Sequence, residues 1–344
     1  MKSVLSEEMF FSMTWDYLNV FLPTQNQNSS KTAKSYTDGL TIFRRYITDV
    51  LGRSISEFKF TDLTYDFLLD YRNHLENSGY KPRTVNQRLA VIMAYMKYSA
   101  MRRIDLTQIY LQLLDVPYVT VPERIREIIE DKKALECILA SPKPSKLGIR
   151  DQFILVILYD TAIRVEELVN LKLSDVSLHS SPPYIRIHGK GDKERMVTMS
   201  EKTILLLKQY IALYHSASNR DMPFFYTVIK GVTGRMSERN VERIVQKYAD
   251  IARKDYPSIP EKVYPHMLRR TRATGWYRDG VPIETIAVVL GHSDIKTTRK
   301  SYASPSVMMI KNVLDKAGGE SVSQTAEQPL WTDDQELAAL CGVR

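Results

Sequence analysis

A mainly α-helical protein of two domains, with a small β-hairpin in the second and so an α+β class overall, is what this sequence predicts. Three observations lead there. Apolar residues recur at helical spacing through most of the chain, and the period changes to alternation only near 184–188 and 196–199. A stretch with two prolines, DVPYVTVPERIREIIE at 115–130, separates the helical segments on either side. The 344 residues also exceed one ordinary domain of about 100–200. The expected division is a helical domain at 1–115, a linker at 116–130, a second domain at 131–317 and a tail at 318–344.

Residues 5–22 predict an amphipathic helix that ends before Pro23 and a polar run, in which Ser30 can cap the next helix. From 31 to 51, Tyr36, Leu40, Phe43 and Ile47 form one stripe, with Lys31, Lys34, Arg44 and Arg45 mostly elsewhere. Helices at 65–78 and 83–101 follow, joined by the break Gly79-Tyr80-Lys81-Pro82. The second sets Val85, Leu89, Ile92, Tyr95 and Met96 inward and leaves Arg83, Arg88, Lys97, Arg102 and Arg103 on a polar face. Beyond the boundary, helices are expected at 131–140, 148–162 and 164–172, then two strands around a turn at 189–192. Helices near 200–215, 237–254, 265–279, 282–290 and 304–316 complete the second domain, and the polar segment from 318 reads as a flexible acidic tail.

With 44% apolar and 26% charged residues the chain can bury a core in each domain. The tail holds Glu320, Glu327, Asp333, Asp334 and Glu336 against Arg344 alone, leaving 47 basic and 35 acidic residues in the rest. A body that basic favours a polyanionic partner, because neutralising phosphates releases condensed counterions. Cys137 and Cys341 are the only cysteines, which excludes a disulfide framework or a Cys-rich metal site and makes the reducing cytoplasm the expected location. Glu7, Glu8 and Asp16 interrupt the start where a secretory signal needs an apolar core, and no apolar run approaches a membrane span.

Several polar residues stand where chemistry is possible. Arg164, in YDTAIRVEELVNLKLSDV, lies between two helices, with Glu167 three residues on and able to orient its guanidinium. HGKGDKERM puts Lys190 in a glycine-bearing hairpin turn, with Lys193 an equal candidate. In YPHMLRRTRATGWY, His266 and Arg269 share a helix face near a start marked by Pro265, where phosphate binds well. Gly291 ends a helix just before His292 in VVLGHSDIKTTRKSYA.

Taken jointly, AIRVEEL, HGKGDKER, HMLRRTRAT and LGHSDIKTT followed by a tyrosine closely resemble the catalytic domain of the tyrosine recombinase, or phage-type integrase, family. The resemblance spans roughly 125–317, and the helical region 5–105 looks like that family's SAM-like core-binding domain. It implies a catalytic set of Arg164, Lys190, His266, Arg269, His292 and Tyr302, with Glu167 as a supporting acid. Lys31, Lys34, Lys81, Arg83, Arg88, Arg270 and Arg272 are the expected DNA contacts. One departure stands out. The family usually has its nucleophile nine residues after the Gly-His histidine, whereas Tyr302 lies ten after His292; no other tyrosine lies between His292 and Arg344.

The implied function is site-specific recombination of double-stranded DNA through a 3′-phosphotyrosyl link, by protomers that pair as dimers and tetramers on DNA, in the manner of a transposon, phage or Xer-like system. Arg164 and Arg269 suit the charge that develops on nonbridging oxygens, since a guanidinium fork grips two oxygens and keeps its proton. His292 is expected to add a donor and His266 to help the Tyr302 proton leave. Lys190 is expected to protonate the departing oxygen. Because the ester conserves bond energy, neither ATP nor a metal is expected. A nicking-closing topoisomerase and a catalytically inactive DNA-binding regulator are the competing readings.

Overall fold

The computed structural model describes residues 6–24, 30–122, 127–189, 194–215, 219–292 and 295–302; at 30, 31, 297 and 300–302 it describes the backbone alone. The chain divides into two compact units, Met1–Ile125 and Arg126–Arg344.

In the first unit the helical turns Phe10–Met13, Thr14–Asp16, Tyr17–Phe21 and Leu22–Thr24 follow one another directly. The helix expected from residue 5 starts at Phe10, because the Phe10 N–H is bonded to the Phe58 carbonyl at 2.9 Å and the Glu8 carbonyl receives the Phe60 N–H at 3.0 Å. Helices α1 (Ser30–Arg45), α2 (Tyr65–Asn77), α3 (Pro82–Arg102) and α4 (Thr107–Leu113) follow. The Thr64 hydroxyl caps α2 by accepting from the Phe67 N–H, and Pro82 opens α3 where no N–H is needed. The seven-residue α4 was not expected; it is too short for its apolar period to show. Phe10, Phe43, Phe58, Tyr71 and Tyr95 are fully buried at the centre of this unit. The Tyr95 hydroxyl donates to the Phe10 carbonyl, which gives its buried polar end a partner.

The second unit opens with α5 (Lys132–Ala140), α6 (Lys146–Asp160) and α7 (Val165–Asn170). Asp131 caps α5, and Ser145 caps α6, which begins two residues earlier than expected. Strands β1 (Val176–Ser177), β2 (Tyr184–His188) and β3 (Glu194–Thr198) form an antiparallel sheet in that order. The register pairs Ile185 with Val197 and Ile187 with Arg195. Then come α8 (Glu201–Tyr214), the hairpin β4 (Tyr226–Ile229) and β5 (Val232–Arg235), α9 (Glu238–Ala252), α10 (Pro265–Arg278), α11 (Ile283–Leu290) and α12 (Ile295–Tyr302).

The β4–β5 hairpin was not expected from the sequence. Its turn places Lys230 and Gly231 at φ 50° and 78°, where the usual signal is Asn-Gly, and its strands carry no buried face. The core joins Phe153, Ile157 and Leu158 of α6 to Ile185 and Ile187 of β2 and to Val241 and Val245 of α9. A smaller cluster of Ala162, Ala273, Ile286 and Leu290 seals α10 against α11. The helix expected at 304–316 and the tail from 318 lie outside the described residues.

Candidate active site

Ala162 ends the turn after α6 in a left-handed conformation, φ 50°, unusual for a residue with a Cβ. That turn aims its carbonyl at Arg269 on α10, whose Nη1 donates to it at 2.5 Å. Arg269 Nη2 donates to the Leu290 carbonyl at 2.7 Å, at the C-terminal end of α11 where the helix dipole favours a cation. The same Nη2 lies 3.2 Å from His292 Nε2. Arg269 is only 1% exposed.

Arg164 stands at the start of α7. Its backbone N–H donates to Glu167 Oε2 at 2.9 Å and its Nη1 to Glu167 Oε1 at 2.8 Å. Its Nη2 reaches the Gly291 carbonyl at 3.1 Å, and its side chain is 37% exposed. Glu167 therefore does orient Arg164, but it is shared. Arg195 of β3 clasps both carboxylate oxygens at 2.8 Å each, while its Nε donates to the Val289 carbonyl at 3.0 Å.

Gly291 closes α11 at φ 63°, so that its own N–H and that of His292 satisfy the last carbonyls of the helix. A Cβ there would sit 2.9 Å from Arg195 Nη1, so glycine answers both a backbone and a packing demand. The turn presents His292 to Arg269 on one side and to Thr298 on the other, where Nδ1 lies 2.7 Å from Oγ1.

Two pKa values register this environment. Burial alone would raise Glu167, but hydrogen bonds and charge from Arg195, with Arg164 behind, bring it down to about 2. His292 is pushed down to about 4 by burial first, then by the charges of Arg269, Arg164, His266 and Arg195. His266, exposed in the first turn of α10, is thus close enough for its charge to bear on His292.

The structure therefore gathers Arg164, Glu167, His266, Arg269 and His292 from distant parts of the sequence. Lys190 and Lys193 fall outside the described residues, as does the Tyr302 side chain, although position 302 ends α12. Two partners escaped the sequence reading. Arg195 is signalled by strand alternation, since it shares the inward parity of Val197 in β3. Thr298 had no comparable signal.

The structure places the expected phosphate and DNA contacts as follows. Arg269, expected to grip a phosphate beside Arg164, is buried with its Nη groups on carbonyls, and Arg164 is the more exposed guanidinium. His292, expected to add a donor, has its Nε2 against Arg269, where a guanidinium can only donate and Nε2 accepts. Arg270, expected at DNA, is 4% exposed and stacks on Tyr264 while donating to its hydroxyl. Arg272 is half-buried between Tyr159 and Trp276, with Nη2 3.3 Å from Asp160. Lys34, Lys81 and Arg83 are exposed, Arg88 is half-buried, and the Lys31 side chain is not described.

Among the described residues no helix is long and apolar enough to cross a membrane. Phage integrase family sequences match residues 130–308, and the Phage integrase SAM-like domain matches residues 10–110. A tyrosine recombinase of Agathobacter rectalis is 32% identical over 245 residues, covering 68% of this chain and 76% of its own. Tyrosine recombinase XerC of Staphylococcus haemolyticus is 28% identical over 298 residues, covering 86% and 93%. The Tn1549 transposon integrase, solved in complex with transposon right end DNA, shares the fold with a TM-score of 0.66 at 13% identity, over 90% of this chain and 98% of that one. With more than half its length matched and the hydrogen-bonded arginine cluster inside the matched part, the chain belongs to the Phage integrase family and is a tyrosine recombinase.

Proposed function

We propose that this recombinase breaks and rejoins double-stranded DNA at a specific site by attack of the Tyr302 oxygen on a backbone phosphorus. The bond to the 5′-oxygen breaks, leaving a 3′-phosphotyrosyl ester and a free 5′-hydroxyl, and a hydroxyl from another strand later displaces the tyrosine. One observation carries the reading: three guanidiniums, Arg164, Arg195 and Arg269, donate to the successive carbonyls of Gly291, Val289 and Leu290, and Glu167 is the carboxylate bonded to the first two. That surplus of positive charge, fixed before substrate arrives, suits an anionic phosphorane-like transition state. Arg164, the open member, takes a nonbridging oxygen, and Arg269 supplies charge from behind His292. His266 receives the tyrosine proton and Lys190 delivers one to the departing 5′-oxygen.

Residues 1–115 serve as a core-binding domain and 131–317 as the catalytic domain, with Lys31, Lys34, Lys81, Arg83 and Arg88 on DNA phosphates. Protomers pair on the recombination site in the cytoplasm, the apolar segment 304–316 docking onto a neighbour. A transposition role is the finer reading. A nicking-closing enzyme would share the chemistry but need no pairing, which separates the two.

Tyr302→Phe should abolish covalent capture of a nicked suicide substrate on denaturing electrophoresis, with half-site binding within about threefold because only the attacking oxygen is lost. A protein–DNA band that persists in the variant refutes the assignment of Tyr302.

A further inference from the structure

Thr298 is fully buried on α12, and its Oγ1 lies 2.7 Å from His292 Nδ1. The other ring nitrogen, Nε2, faces Arg269 Nη2 at 3.2 Å. A guanidinium has donors and no acceptor, so Nε2 must be the lone-pair nitrogen, and in a neutral ring the proton then resides on Nδ1 and is donated to Thr298. Burial and the surrounding positive charges keep that ring neutral near pH 7.

We infer that Thr298 is a positioning residue that holds the imidazole of His292, whose tautomer Arg269 sets, and that through the same hydrogen bond it pins the helix bearing Tyr302 to the arginine cluster. Position 302 follows Thr298 by four residues, one helical turn, and so returns to the same side of α12. The ten-residue interval from His292 to Tyr302 thus resolves into two parts: six residues to a hydrogen-bonded anchor and one turn beyond it. A shift at Thr298 would move the imidazole and the start of that last turn together. The second half of this inference rests on the proposed role of Tyr302; the hold on His292 does not.

Two measurements on the full-length chain test it: 15N NMR of labelled histidines, with the His292 signals identified by their loss in His292→Gln, and single-turnover cleavage of a nicked suicide half-site. Wild-type protein should show a protonated Nδ1 and a bare Nε2 at His292. Thr298→Ser retains the hydroxyl and should keep the Nδ1 signal and a rate within about fivefold, whereas Thr298→Val should keep the tautomer that Arg269 sets but leave Nδ1–H without its acceptor, shift the Nδ1 15N and 1H signals, and slow cleavage on the order of 100-fold, as small misplacements of reacting groups do. Half-site affinity should hardly change in either variant, which a merely structural loss would not spare. If valine prevents folding, Thr298→Ala is read in the same way. A Thr298→Val or Thr298→Ala protein that retains the wild-type Nδ1 signals or the wild-type rate overturns the inference. Absence of covalent capture by the wild-type protein would instead overturn the strand-cleavage reading, with the Nδ1 signals still deciding whether Thr298 holds His292.

Discussion

Glu167 is a carboxylate that the fold requires in its charged form. Its pKa of about 2, against an ordinary 4.5, means that its contribution to stability is whole above about pH 4.5 and is lost as the pH falls through the folded value. His292 acts in the same direction over a higher range. Its pKa is about 4 against an ordinary 6.5, so between these values the unfolded chain binds a proton that the folded one refuses. That contribution is whole above pH 6.5 and is lost on descending to pH 4. Urea unfolding midpoints should therefore fall steadily from pH 7 to pH 4, and His292→Gln should flatten that part of the curve while leaving the steeper loss below pH 4.5. An equal slope in both proteins between pH 6.5 and 4 would show that another group titrates there.

At the scale of elements, Arg195 fastens β3 to α7 through Glu167 and to α11 through the Val289 carbonyl. Both sides of the ion pair are largely buried, at 13% and 6% side-chain exposure, so removing one partner leaves a desolvated charge. Arg195→Gln should cost roughly 3 kcal/mol, the low end for breaking a buried pair, because Arg164 still holds Glu167. Chemical denaturation measures the loss, and a change below about 1 kcal/mol would place the pair among surface bridges of little consequence. This fastening also marks where the sequence could be read and where it could not. Pro82, Pro265 and Gly291 announce helix ends through local backbone chemistry, and each stands at such an end, whereas the cap at Ser145 went unread. Arg164 and Glu167 were legible because three residues on a helix turn bring them together. Arg195 was available from the alternation in β3 but lay beside two more conspicuous lysines. The burial of Arg269, the left-handed turn at Ala162 and the reach of Thr298 depend on contacts more than a hundred, or in the last case six, residues apart, and no local period encodes them.

For the whole molecule, strand exchange needs more than one protomer, and the sequence directly after α12 bears on how they meet. Position 302 closes α12, and within 304–316 the residues Val307, Met308, Met309, Ile310, Val313 and Leu314 are apolar, more than one solvent-facing helix would normally carry. Such a segment gains most by burying its apolar residues, and docking it on a neighbouring protomer would make occupancy of paired half-sites cooperative. Truncation after Ser304 removes the segment and leaves Tyr302 and the arginine cluster in the chain. The truncated protein should bind a single half-site nearly as wild type does, since that contact draws on the basic body of the chain, 47 Lys and Arg against 35 Asp and Glu outside the tail. On DNA with two half-sites it should need roughly tenfold or more protein to form the doubly occupied and synaptic complexes, the loss expected when about 1.4 kcal/mol or more of coupling disappears. Mobility shifts on the two substrates at one salt concentration measure both quantities side by side. Wild-type concentrations for both complexes would mean that the segment packs on its own protomer and that pairing is carried by other surfaces.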